Sequence, residues 1–143
     1  MTARSPIVEK FKNAFQNFSS QTLVQLPSIY HDDIEFVDPV HRVCGLAEVQ
    51  RYFAGTMKNL VRCEFEYDVE TVAADSACIS WHMHFQHPAL RRGAPLSLRG
   101  ISRICFDDKI RYHEDFYDLG AMLYENVPVL GGVTRLLKRR LAS

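Results

Sequence analysis

The chain has 143 residues, 47% of them hydrophobic and 24% charged, and its 17 basic residues balance 17 acidic ones. That length suits one domain able to bury a core, and the composition argues against disorder and against a dedicated nucleic-acid binder, which carries a basic excess. No apolar run approaches the ~20 residues of a membrane span, and Met1 to Lys10 lacks a signal-peptide core, so a cytoplasmic protein is expected.

The chain opens in a helical pattern. Ile7, Val8, Phe11, Ala14, Phe15 and Phe18 recur at helical spacing, with Pro6 suited to the first turn. Ser19, Ser20 and Thr22 can cap a second short helix bearing Leu23, Leu26 and Ile29, with Pro27 making its end irregular. Ile34 to Val37 predicts a short strand, stopped at Asp38-Pro39 because proline removes a ladder donor and holds Asp38 extended. Gly45 opens a third helix carrying Leu46, Val49, Tyr52, Phe53 and Met57.

From Val61 the period changes to two. Long strands are predicted over Val61 to Ala73, Ala77 to Gln86 and Leu96 to Phe106. Pro88 to Pro95 is a loop or hairpin end, and Asp107-Asp108-Lys109 is a tight turn into a last strand, Ile110 to Asp118. Within the second long strand Ala77, Ile79, Trp81, Met83 and Phe85 share one face, and Cys78, Ser80, His82 and His84 share the other. The tail from Leu119 is apolar and helical at intervals, broken by Pro128 and by Gly131-Gly132. Helices followed by strands joined through short turns predict an α+β domain, with helices on one face of an antiparallel sheet.

Cys44, Cys63, Cys78 and Cys105 form no C-x-x-C pair, so no zinc or redox motif is signalled. Cys78 and Cys105 are expected as buried thiols within strands. His82 and His84 point the same way but lack a third ligand, so no metal site is expected.

The segment Tyr30-His31-Asp32-Asp33-Ile34-Glu35-Phe36-Val37-Asp38-Pro39, followed by Gly45 and a helix, resembles the opening of the ketosteroid-isomerase-like superfamily. That superfamily has the nuclear transport factor two fold and includes SnoaL-like polyketide cyclases and limonene-epoxide hydrolase. Lys109 to Gly120 resembles the last strand of the SnoaL-like and epoxide-hydrolase branches. The resemblance implies a cone-shaped, curved antiparallel sheet with three N-terminal helices on its concave face. Residues 1–143 then form one domain, with 119–143 a C-terminal helical extension or lid. It also implies a pocket inside the cone and a homodimer through the outer face of the sheet.

Asp38 matches the aspartate that serves ketosteroid isomerase as general base, where an apolar pocket raises a carboxylate's pKa into a useful range. Its other reading is a turn cap through His41. The resemblance places the family's two oxyanion donors at Ala14 and near Ser102, and neither can fill that role fully. Steroid-isomerase chemistry is therefore not expected. Asp115 resembles the last-strand acid of the cyclase and hydrolase relatives, and His113 and Tyr117 lie two residues either side of it on the same face. These three form either an acid-base set or a buried polar network whose members satisfy one another. The hydrolase pattern also needs an arginine and an aspartate on the preceding strand. Arg99 and Arg103 are there, but no acid lies between Leu96 and Cys105.

Trp81, Met83, Ser102 and Phe53 are the expected pocket lining, and Asp118 is expected to cap the helix after the last strand. Val129, Leu130, Val133, Leu136 and Leu137 are expected to cover the open end of the cone, hinged at Gly131-Gly132, with Arg135, Lys138, Arg139 and Arg140 in water; binding of this basic amphipathic helix to a membrane or nucleic-acid surface is the lesser reading. The leading expectation is a cofactor-independent acid-base enzyme of isomerase, cyclase or hydratase/hydrolase type. Its ligand is a small hydrophobic, oxygenated molecule. A ligand-binding or protein-interaction module of the same fold is the alternative.

Overall fold

The computed structural model describes residues 5–122 and 128–142. Helix α1 (Pro6–Gln16) starts with proline in its first turn and buries Ile7, Val8, Phe11, Ala14 and Phe15 along one face. Each large side chain so buried contributes about 1.5–3 kcal/mol. Helix α2 (Ser20–Ile29) begins at a cap in which the Ser19 N–H donates to Thr22 Oγ1 at 3.1 Å. The Thr22 hydroxyl in turn donates to the Ala14 carbonyl at 2.8 Å, which joins the start of α2 to the end of α1.

Strand β1 (Tyr30–Val37) follows without a loop and starts four residues before the predicted Ile34. A short strand β2 (Arg42–Cys44) pairs with it, Phe36 opposite Val43. Three residues carry no alternation signal, so β2 was invisible to the periodicity. Gly45 then adopts φ +93°, a left-handed conformation that favours glycine, and turns the chain into α3 (Leu46–Met57), which buries Val49 and Phe53.

Four strands follow: β3 (Arg62–Val72), β4 (Ser76–Gln86), β5 (Leu96–Phe106) and β6 (Ile110–Tyr117). All pair antiparallel with their chain neighbours. The sheet order is β2-β1-β6-β5-β4-β3, and β1 runs parallel to β6. Helices α1, α2 and α3 pack on one face of this sheet, and the core lies between the two layers.

Two parts of the expected fold are corrected. The sheet is mixed rather than wholly antiparallel, because β1 enters beside β6 and not beside its next long neighbour in the chain. It is also open, neither closed nor strongly curled, so the expected cone is not formed. The strands β2 and β3 are its two edges. Part of the β3 edge is covered by the α1–α2 connection, where Asn17 bridges Glu64 and the Phe18 N–H donates to the Cys63 carbonyl at 3.0 Å. Alternation reports which side chains face the helices. Curvature depends on strand partners and register breaks, which are not local properties.

Cys78 and Cys105 are corrected too: Cys78 is exposed and Cys105 half-buried, whereas Cys63 is the buried thiol. Cys78 alternates with the inward Ala77 and Ile79, and Cys105 with the inward Ile104 and Phe106, so both face away from the helices. After β6 come a short helix α4 (Leu119–Met122) and α5 (Pro128–Ala142). The expected break at Gly131-Gly132 does not occur. A helix tolerates glycine at a cost of about 1 kcal/mol each, and α5 runs through both. Val133, Leu136 and Leu137 are exposed, and the side chains of Val129 and Leu130 lie outside the described residues.

Candidate functional site

The site is built from the inward face of the sheet. Pairing sets Ser102 opposite Asp115, and Gly100 opposite both Trp81 and Tyr117. Gly100 leaves room for the indole of Trp81 to lie across the strand: a Cβ there would sit 2.2 Å from Trp81 Cη2. In that position Trp81 Nε1–H donates to Ser102 Oγ at 2.9 Å, and the Ser102 hydroxyl donates onward to Asp115 Oδ1 at 2.6 Å.

A second chain of hydrogen bonds reaches the same oxygen. His113 Nε2 lies 2.7 Å from Asp115 Oδ1, and His113 Nδ1 lies 2.5 Å from the Tyr30 hydroxyl. Burial pushes the Tyr30 phenol well above its ordinary pKa, and the Asp115 charge adds to this, so Tyr30 keeps its proton. Its O–H therefore donates into Nδ1, which leaves the imidazole proton on Nε2, directed at Asp115. His113 is only 2% exposed. The rings of Phe11, Phe15 and Phe36 meet it edge-on at centroid separations of 5.0, 5.5 and 4.9 Å. Rotation of the imidazole is blocked by this packing.

Asp115 Oδ1 thus accepts from Ser102 and His113, while Oδ2 accepts from none of the described residues. Its side chain is 17% exposed and borders a cavity of about 530 Å³. The walls of that cavity are aromatic: Phe18, Phe36, Phe53, Phe65, Trp81 and Phe85 contribute, with Met83 and Leu90. Asp38, Tyr52 and Tyr117 also line it. A carboxylate whose inner oxygen is held by two donors can take or release a proton at its outer oxygen without rearranging either hydrogen bond.

Asp38 is held differently. Its Oδ1 accepts the backbone N–H groups of Val40 and His41, each at 2.8 Å, and its Oδ2 accepts the Tyr52 hydroxyl at 2.5 Å. Burial and the bond to Asp38 push the Tyr52 phenol far above its usual range. The Tyr117 phenol is raised in the same direction, by burial first and then by the charges of Asp38 and Asp115. Both phenols are therefore donors across the neutral range.

The cavity brings together Asp38, Asp115, Tyr117, Trp81, Met83 and Phe53 from the sequence reading. Ser102 and His113 stand behind Asp115 instead of lining the cavity. Asp118 caps α4 as expected, accepting the Ala121 N–H at 3.2 Å, and Lys138 Nζ lies 2.6 Å from its other oxygen. Lys138 and that cap hold its carboxyl below the usual range.

Arg99 and Arg103 lie on the opposite face of β5, and Arg103 stacks over the Tyr112 ring at 5.6 Å, so neither reaches the cavity. His84 pairs with Glu66 at 3.0 Å on the same outer face. Among the described residues, His31, Asp107 and Asp108 place ligand atoms within 4.8 Å of one another. Asp107 is already engaged by His31, the Lys109 N–H and Arg111, which hold its carboxyl well below the usual range. That cluster is accounted for as a surface ion-pair network.

The sequence reading missed Tyr30 and Tyr52 as site residues. Tyr52 had a signal, since it shares a helical phase with Val49 and Phe53. Tyr30 had none, because its partner is 83 residues away. Tyr67 was missed too: its hydroxyl is buried without a partner among the described residues, and burial followed by the Asp115 charge raises its pKa.

The SnoaL-like domain model matches residues 8–113. No curated protein matches the chain. Among solved structures, a protein described as a SnoaL-like polyketide cyclase from a Jannaschia species is similar with a TM-score of 0.76, at 15% identity over 90% of this chain and 99% of that one. A Catenulispora acidiphila protein with a ketosteroid isomerase-like fold, in complex with trimethylamine, gives 0.73 at 15% identity over 87% and 94% of the two chains. TerC, co-crystallised with polyporic acid, gives 0.71 at 19% identity over 82% and 95%. At these identities the likeness establishes the shared fold.

Proposed function

This chain belongs to the SnoaL-like family, within the nuclear transport factor two-like superfamily, and from that premise we propose that it is a cofactor-independent acid-base enzyme acting on a hydrophobic, oxygen-bearing small molecule. One observation carries the proposal. Asp115 presents a single oxygen to an aromatic cavity while its other oxygen is fixed by Ser102 and His113. Removing a proton from carbon or oxygen at one point, and returning it at another, needs a group with that geometry. Asp115 Oδ2 transfers the proton, and His113 and Ser102 hold the carboxyl in place. Tyr117 donates to the substrate oxygen on which charge develops. Asp38 accepts the Tyr52 hydroxyl and fixes that ring at the cavity wall. Ring-lined walls favour a planar, unsaturated substrate, consistent with the cyclase and isomerase descriptions of relatives. Isomerisation, cyclisation and hydration all fit this chemistry. The protein works as a homodimer through the outer face of the sheet, where Ile101 and Phe116 form an exposed cross-strand pair.

The test is Asp115→Asn, which keeps the shape and an acceptor for both inner donors. Turnover of a substrate found by screening aromatic and polyketide-like compounds should fall by at least about 100-fold, with ligand affinity held within a few-fold. Tight binding with no turnover in either form replaces the enzyme reading with that of a ligand-binding protein.

A further inference from the structure

Helix α5 is unlike every other described helix in what it leaves in water. Val133, Leu136, Leu137 and Leu141 are 53%, 52%, 56% and 87% exposed. At 100° per residue, Val133, Leu137 and Leu141 lie along one line, with Leu136 beside it. They form an exposed apolar stripe interrupted by Arg140, in contrast to the buried stripes of α1 and α3. Arg135, Lys138 and Arg139 occupy the other side, and Arg140 lies at the stripe, where its long stem can lift the charge clear of an apolar phase. The helix, PVLGGVTRLLKRRLA, holds four of the 17 basic residues and no acidic one. Since the chain is neutral as a whole, the remainder is net negative. The Lys138–Asp118 pair holds α5 near the end of β6.

From this placement we propose that α5 is an interfacial helix that seats the protein on an anionic lipid surface, its apolar stripe among the acyl chains and its cations at the headgroups. An apolar face flanked by cations matches an anionic bilayer in both respects. Pairing with α5 of a second copy would bury Arg140, which lies within the stripe, against apolar side chains. At 15 residues the helix is about 22 Å long, and no described helix is long and apolar enough to cross a membrane, so α5 lies on the surface and does not span it. The proposal does not depend on the reaction assigned to the cavity.

The experiment is co-sedimentation of the full chain with vesicles of phosphatidylcholine alone and of phosphatidylcholine with phosphatidylglycerol. Binding is expected only to the anionic vesicles, falling as salt is raised. Arg139→Gln should weaken it about fivefold, and Leu137→Glu should abolish it. Both positions are exposed, so the fold tolerates both changes, and far-ultraviolet circular dichroism should confirm unchanged helix content. Amide exchange with anionic vesicles should show protection confined to α5. Absence of binding to either vesicle, equal binding to both, or anionic binding that survives Leu137→Glu overturns the proposal. So does α5-dependent self-association that replaces vesicle binding.

Discussion

Asp38 and Asp115 border the same cavity and are held by opposite means. Asp38 is held by its own neighbourhood. Two backbone N–H groups within three residues take one oxygen, and Tyr52, fourteen residues on, takes the other. Asp115 is held by the tertiary fold. Its inner oxygen depends on Ser102 in β5 and on His113, which is oriented by Tyr30 at the far end of the chain, and its outer oxygen is left to the cavity. A carboxylate with both oxygens occupied is a fixed charge. One with a single oxygen tied down is a fixed charge that can still exchange a proton. Under the proposed function, this difference is why Asp38 is given the anchoring role and Asp115 the proton transfer.

The sharpest way to break this contrast is to mutate both acids to amides. Asp115→Asn should cost turnover at least about 100-fold, and Asp38→Asn less than about tenfold, because an amide oxygen still accepts from Val40 and His41. Equal losses, measured as kcat/KM on one substrate, would remove the distinction. Next in size is His113→Ala. It vacates a space boxed by Phe11, Phe15 and Phe36 and leaves the buried Tyr30 hydroxyl without its partner. Urea unfolding should show a loss of about 3–5 kcal/mol.

Gly100→Ala tests the other arm. The new methyl would meet the Trp81 ring and push its Nε1 away from Ser102. A loss of about 1–3 kcal/mol is expected, with a shift in the emission of the one tryptophan. Stability and emission both unchanged would show that Trp81 does not need its seat over Gly100. The smallest effect is expected from Tyr52→Phe, which removes one hydrogen bond to Asp38. That bond is partly screened by solvent, so the unfolding free energy should drop by about 1 kcal/mol. A drop as large as that of His113→Ala would mean that Asp38 depends on distant contacts as much as Asp115 does.

Features with a local cause were legible in the sequence. Apolar residues at helical spacing placed α1 and α3, period two placed β3 through β6, and the turn residues Asp38-Pro39 and Asp107-Asp108 marked chain reversals. The phase of β4 set Trp81 and Met83 on the cavity side and His82 and His84 on the other. Asp38's turn bonds were readable because their donors lie within three residues. Strand β2 was too short to carry a pattern, and the phases of β4 and β5 that put Cys78 and Cys105 outside were outweighed by a general expectation that thiols are buried.

Sequence by itself determined which side chains face the core and which carboxylates stand at strand ends, because a period of two or 3.6 is a property of neighbouring residues. Only the tertiary structure decided that β1 lies parallel beside β6, that the sheet stays open, and that Tyr30, Ser102 and His113 converge on one oxygen of Asp115. Those outcomes depend on which strands become partners and in which register. Pairing over 83 residues is set by the packing of the whole core, and no local pattern encodes it.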